Sequence, residues 1–168
     1  MPDGTLATAA AEADQLAAAG SESQLAALRA QWDDELEGAV RSSDFRERAV
    51  AYRAIGQFRY RQKLELLRRG LEDESPAARG SALLSLELLS RDGPAPVNAD
   101  RSLLHTLASS DPNQTVRRLA ILCLKNGSPN RDTIVILEGI AGDDEQPREL
   151  REAARRIAAL LTKKSRQR

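Results

Sequence analysis

Sulfur, imidazole and aromatic chemistry are scarce in this 168-residue chain, which holds one cysteine, one histidine, one methionine and five aromatic residues. A single Cys123 excludes a disulfide framework, and with His105 as the lone histidine it excludes a zinc site of the Cys/His type. With aromatics at 3%, the core has to come from Leu, Ala, Ile and Val, a mixture that favours helices over strands. An excess of charge is also missing. Lys+Arg and Asp+Glu both number 25, so bulk electrostatics point neither to nucleic acid nor to an anionic membrane. No run approaches the roughly 20 apolar residues that a membrane helix needs. The opening Met1-Pro2-Asp3-Gly4 lacks the basic region and unbroken apolar stretch of a secretory signal. No membrane association is expected, and a cytoplasmic location is the default, in keeping with a lone thiol.

What the chain does have is helical periodicity. Apolar residues recur at three- and four-residue spacing nearly everywhere, with no sustained alternation of strand type. Ser75-Pro76, Asp111-Pro112, Ser128-Pro129 and Gln146-Pro147 each place Pro after a candidate cap, where its missing N–H costs nothing. Asp44 with Glu47 and Ser21 with Gln24 read as capping boxes. Gly127 suits the left-handed residue that closes a helix. These signals predict helices over 22–41, 44–58, 60–72, 76–90, 100–109, 112–126, 129–141 and 147–163, with an Ala-rich helix or disordered stretch at 5–19. Pro94 and Pro96 make 91–99 an inserted stiff, exposed loop, and Lys163-Lys164-Ser165-Arg166-Gln167-Arg168 ends the chain as a basic, disordered tail.

Four of these helices carry one pattern. Ala78-Arg79 through Leu86 lies over Val116-Arg117 through Leu124, and Glu47-Arg48 through Gly56 and Leu150-Arg151 through Ala154 continue it. The arginines at 48, 79, 117 and 151 are 31, 38 and 34 residues apart, and Asp73 and Asp111 each stand six residues before theirs. Self-similarity at that period marks a solenoid, in which each helix pair buries its face by stacking on the next. The Asp before the turn and the following V-R-x-x-A-A-x-A-L-G-like helix, fullest at Arg48, Ala51, Tyr52, Ile55 and Gly56, resemble the HEAT-repeat family, including its short phycobilisome-lyase HEAT-like members. The resemblance covers 21–163. It implies an all-α fold, a right-handed α-solenoid of about four helical-hairpin repeats at 22–58, 60–90, 100–126 and 129–163, after an acidic segment at 1–20 and before a tail at 164–168. It also implies second helices on a concave face and binding more often than catalysis. The chain departs from the family pattern in its uneven spacing, in Glu47 before the first arginine and in the 91–99 insertion.

Catalytic chemistry finds no foothold in the pattern. His105 lacks a neighbouring carboxylate and nucleophile, Cys123 sits among Ile121, Leu122 and Leu124 as an inert buried thiol, and no phosphate loop or metal-ligand spacing occurs. An enzyme is not expected, nor a cofactor or metal. Arg48, Arg79, Arg117 and Arg151 are expected to form an internal ladder with turn acids such as Asp73 and Asp111. With the core at offsets −1, +3, +4 and +7 from each arginine, Arg53, Glu87, Arg118, Lys125, Glu152 and Arg156 face outward, and all but Glu152 are candidate partner contacts. Charge alternates along the chain, at −7 over 1–40, +6 over 41–69, −4 over 70–100 and +5 over 101–168. All the aromatics fall between 32 and 60. Trp32, Phe45, Tyr52 and Phe58 are expected to fill the first repeat's core, leaving Tyr60, between Arg59 and Arg61, exposed as an interface anchor.

The leading expectation is a non-enzymatic adaptor that binds another protein on the concave face. A nucleic-acid site using those arginines on phosphates is the alternative, disfavoured by zero net charge. An assisting subunit of a lyase complex rests on the resemblance alone. Self-association through exposed repeat ends is a further expectation.

Overall fold

The computed structural model describes residues 4–167, so Met1, Pro2 and Asp3 of the N-terminal segment and Arg168 of the tail lie outside the described residues. All regular structure among the described residues is helical. The chain forms two compact units, Met1–Leu89 and Ser90–Arg168.

The first unit contains α1 (Leu6–Ala18), α2 (Glu22–Ala39), α3 (Phe45–Gln57), a 3-10 turn at Arg61–Lys63, α4 (Leu64–Leu71) and α5 (Pro76–Leu89). The Ala-rich segment is a helix. Thr5 caps it by accepting from Thr8 N at 3.2 Å, and Leu6, Ala9, Ala10 and Ala13 form the buried stripe with which it packs on α2 and α3. Helix α3 starts from Asp44, whose carboxylate accepts from Arg46 N at 2.9 Å. Asp44 N donates to Ser42 Oγ at 3.1 Å rather than to Glu47, and the Ser21 side chain makes no capping bond, so neither expected capping box is the device used. The helix expected from residue 60 begins as a 3-10 turn instead, because Tyr60 at ψ 73° is outside helical geometry.

Helices α3 and α5 cross closely. A Cβ on Gly56 would lie 2.7 Å from Ser85 Cα, so only glycine fits at this crossing. The Ser85 hydroxyl lies in the ladder of α3, donating to Tyr52 O at 2.5 Å and accepting from Gly56 N at 3.0 Å. Around this point Ile55, Phe58, Leu67, Leu83 and Leu86 are fully buried, and each contributes about 1.5–3 kcal/mol by leaving water.

The second unit contains α6 (Ala95–Ala99), α7 (Arg101–Ser110), α8 (Gln114–Leu124), α9 (Arg131–Ala141) and α10 (Arg148–Arg166). The proline-bearing insertion is exposed at six of its nine residues, as expected, but its second half is not a loop. Residues 95–99 fold as α6, with Pro96 in the first turn, where no N–H is missed, and with Val97 fully buried. Gly127 is not left-handed. It is required because a Cβ there would stand 2.7 Å from Val97 Cγ1. The caps of α8 and α9 are Asn113 and Asn130, accepting from Val116 N and Thr133 N at 3.0 and 3.1 Å, one residue past each proline rather than before it. The basic tail continues α10 to Arg166, and Lys164 Nζ donates to Lys125 O at 3.0 Å.

Candidate interaction surfaces

The four register arginines hold turns. Arg48 meets Asp73 with two parallel bonds, Nε to Oδ2 at 2.8 Å and Nη2 to Oδ1 at 3.0 Å, and its Nη1 donates to Ser42 O and Ser43 O. Arg79 donates from Nη1 to Asp73 O and Glu74 O. In the second unit Arg117 donates to Ala108 O and to Gln146 Oε1 at 2.8 Å, while Arg151 Nε donates to Gln146 O. The turns before α3, α5 and α10 are thus each gripped by an arginine on the helix that follows, Arg117 grips the end of α7 instead, and Asp73 and Gln146 are gripped again by an arginine of an earlier helix. Gln146 accepts where an acid was expected, and Asp111 accepts from Asn113 N at 2.8 Å. The Arg48 guanidinium holds the Asp73 carboxyl below its ordinary value, with burial opposing.

Burial follows the arginine register. At offset +3, Ala51, Ala82, Ala120 and Ala154 are all fully buried, and at +7 Ile55, Leu86, Leu124 and Ala158 are buried. At +4, Tyr52, Leu83 and Ile121 are buried, but Arg155 is exposed and donates to Ala141 O. Glu47 departs from the pattern at offset −1, as its charge requires.

The candidate contact residues divide between the units. Arg53, Tyr60 and Glu87 belong to the first, and Arg118, Lys125 and Arg156 to the second. Arg53, Glu87 and Lys125 are half-buried, whereas Arg118 and Arg156 are exposed. The last two stand on α8 and α10, which pack together.

The aromatic residues depart from expectation in two places. Trp32, Tyr52 and Phe58 are buried, but Phe45 is 45% exposed, with the Arg46 guanidinium 5.7 Å from its ring centroid. Phe45 is the first residue of α3, ahead of the turn that meets the core. Tyr60 is not the free anchor. Its hydroxyl donates to Asp33 Oδ1 at 2.6 Å, and Lys63 Nζ lies 4.7 Å from the ring centroid. Burial, with Asp33 adding to it, pushes the Tyr60 hydroxyl up to about 12. Lys63 bridges Asp33 at 2.8 Å and Glu37 at 2.5 Å, so this cluster pins α2 to the 3-10 turn. Spacing alone could not reveal it, since its members are 27 residues or so apart.

His105 has a partner that sequence could not supply. Its Nε2 is 2.7 Å from Thr133 Oγ1, which also accepts from Arg101 Nη1 at 2.9 Å. A histidine on a hydroxyl is the beginning of a nucleophile–base pair, but Thr133 is 0% exposed and no substrate atom can reach it. The contact therefore joins α7 to α9. Burial, and then the Arg101 charge, hold the His105 imidazole below its ordinary value, with Asp132 opposing. Cys123 is buried. Among the described residues no group of three or more His, Cys, Asp and Glu is placed to hold a metal ion, and no helix is long and apolar enough to cross a membrane. No protein-family model matches the sequence, and no curated protein matches it.

Proposed function

We propose that this chain is a non-enzymatic protein-interaction adaptor of HEAT-like helical hairpins, stacked as a right-handed α-solenoid of about four repeats. The observation that carries this reading is the pair Arg118 and Arg156, two exposed arginines on the packed helices α8 and α10, neither with an ion-pair or hydrogen-bond partner among the described residues. On the same two helices Arg117, Arg151 and Arg155 are committed to backbone or side-chain oxygens of the fold, so the outward pair is surplus to it. Surface arginine is enriched where proteins meet. The repeating burial register supports the hairpin reading, because solenoid repeats use one buried face and vary the other.

Lys125, in the same unit, joins this proposed contact set, and Arg53 and Glu87 are proposed contacts of the first unit by itself. Tyr60, bonded to Asp33, steadies its own junction. Zero net charge disfavours a phosphate polymer as partner, since such affinity comes from neutralising phosphates.

The test is affinity capture of the tagged chain from its native lysate, with and without nuclease, beside an Arg118→Glu/Arg156→Glu variant. The reading expects a stoichiometric protein that survives nuclease and is lost with the variant. A partner that vanishes with nuclease supports the phosphate-contacting reading instead, and unchanged capture by the variant removes this face.

A further inference from the structure

A largely apolar groove opens in each unit, and the two grooves differ in charge. In the first unit, the start of α1, the end of α2 and the first half of α3 enclose about 760 Å³, with Ala7, Ala39 and Val50 in the lining. In the second, α9 and α10 enclose about 570 Å³, lined in part by Ala141, Ala158 and Ala159. We infer that the faces bearing these grooves form a head-to-tail contact, in which the first unit of one copy docks on the second unit of another.

The charges at each groove are not spent inside the molecule. Glu35 and Glu47 line the first groove, are exposed, and have no hydrogen-bond or ion-pair partner among the described residues. Arg46, the one cation among the described lining residues, is already paired with Asp44 at 3.3 Å. Lys163 and Arg166 line the second groove, exposed and equally without a partner among the described residues. Arg155 in the same lining meets only the neutral Ala141 carbonyl, and Glu138 is the one acid among the described residues there. The first groove therefore carries two uncompensated negative charges, and the second an excess of two positive ones. The whole units repeat the contrast, at −4 over 1–89 and +4 over 90–168.

Apolar side chains supply the rest of the contact. Val50 is 37% exposed in the first groove. At the second, Val135 is 57% exposed one helical turn before Glu138, and Leu160 is 38% exposed next to Ala159. Exposed apolar surface rimmed by charge marks an interaction site. Opposite charge draws the two faces together, and like charge rejects the pairing of either face with itself. That rejection disfavours a two-fold contact and leaves a heterologous one, which extends from copy to copy. A foreign partner would answer one face, whereas a second copy answers both.

Sedimentation velocity of the full chain, from low micromolar to near-millimolar concentration, tests the contact. Larger species are expected as concentration rises, and so is their loss at high salt, which screens the rim charges. Val50→Glu and Lys163→Glu/Arg166→Glu are each expected to stay monomeric. Mixed in equal amounts, each still offers the face that the other has lost, so a species of two chains and no larger should form. The changes at Lys163 and Arg166 fall on exposed residues near the end of α10. That variant therefore reads the contact even where Val50→Glu does not fold by circular dichroism. Arg118 and Arg156 are untouched, which keeps the outcome separate from the adaptor reading. A monomer at every concentration leaves the grooves to a foreign partner and overturns the proposal. Association that survives Lys163→Glu/Arg166→Glu, or a mixture of the two folded variants that stays monomeric, overturns it as well.

Discussion

Asp73 shows how one side chain organises a turn in two directions. Its oxygens take the Arg48 fork, its Oδ1 accepts from Ser75 N at 2.9 Å, and its backbone carbonyl takes Arg79. The carboxyl is 7% exposed, so the bonds count at more than surface value. Asp73→Asn is expected to lose about 1.5–3 kcal/mol at pH 7, the range for hydrogen bonds to charged groups. Because Arg48 depresses the folded-state value below the ordinary 3.8, this stability is complete above that ordinary value and drains as pH falls through the folded one. Urea unfolding at pH 7 and pH 3 should show the wild type and variant converging at the lower pH. A gap that stays constant would mean that the carboxylate charge is not what matters. Gly56 makes a second residue-scale case. Gly56→Ala would press a methyl to 2.7 Å from Ser85 Cα, backbone that has no rotamer to escape into, and a loss of about 1–3 kcal/mol is expected. An unchanged midpoint of unfolding would show that α3 and α5 separate without penalty. Neither effect is visible from helix propensity, which favours alanine over glycine.

At the scale of elements, legibility in the sequence depended on length. The arginine register could be read because four helices long enough to repeat an apolar stripe carry Ala51, Ala82, Ala120 and Ala154 at one offset, and all are fully buried. Helix α6 has five residues with Pro96 among them, too few for a period to emerge, and its prolines resemble those of a loop. The Gly127 reading failed for a related reason. A glycine after an apolar run signals a left-handed cap, but this one is spent on a close approach by Val97, 30 residues earlier. Asn113 and Asn130 cap from one residue past their prolines, whereas the usual pattern sets the cap just before a proline in the first helical position. The left-handed turn at Arg59, φ 55°, was invisible because no glycine marked it. If α6 is a docked element, Val97→Ala should destabilise the second unit by about 1.5–3 kcal/mol and speed amide exchange in α6 and the 126–128 turn together. Exchange that changes in α6 alone would mean that Val97 does not anchor the turn.

The whole chain is neutral, but its halves are not: the formal charges sum to −4 over 1–89 and +4 over 90–168. The ionisable groups that set the acid response are divided in the same way. The first unit relies on carboxylates in ion pairs, at Asp73 and at Asp33 with Lys63, which titrate far below neutrality. The second holds the chain's one histidine, and histidine is the side chain whose ordinary value falls between pH 5 and 8. His105 faces Arg101 from its own helix and Asp132 from α9, and its folded-state value is lowered from 6.5 by burial first and Arg101 second. A depressed value means the folded state resists the proton, so stability is whole above 6.5 and falls as pH drops below it toward the folded value. Protonation would set an imidazolium beside the Arg101 guanidinium on the shared Thr133 hydroxyl, loosening the join of α7 to α9. Amide exchange in α7 and α9, corrected for its intrinsic pH dependence, should therefore accelerate between pH 7.5 and 5.5, while α3 and α5 hold steady. His105→Gln keeps a hydrogen-bonding group for Thr133 but cannot gain the charge, and should abolish the acceleration. If the variant responds to acid as the wild type does, the sensitivity lies outside this contact, and the two units do not divide the acid response as their ionisable groups imply.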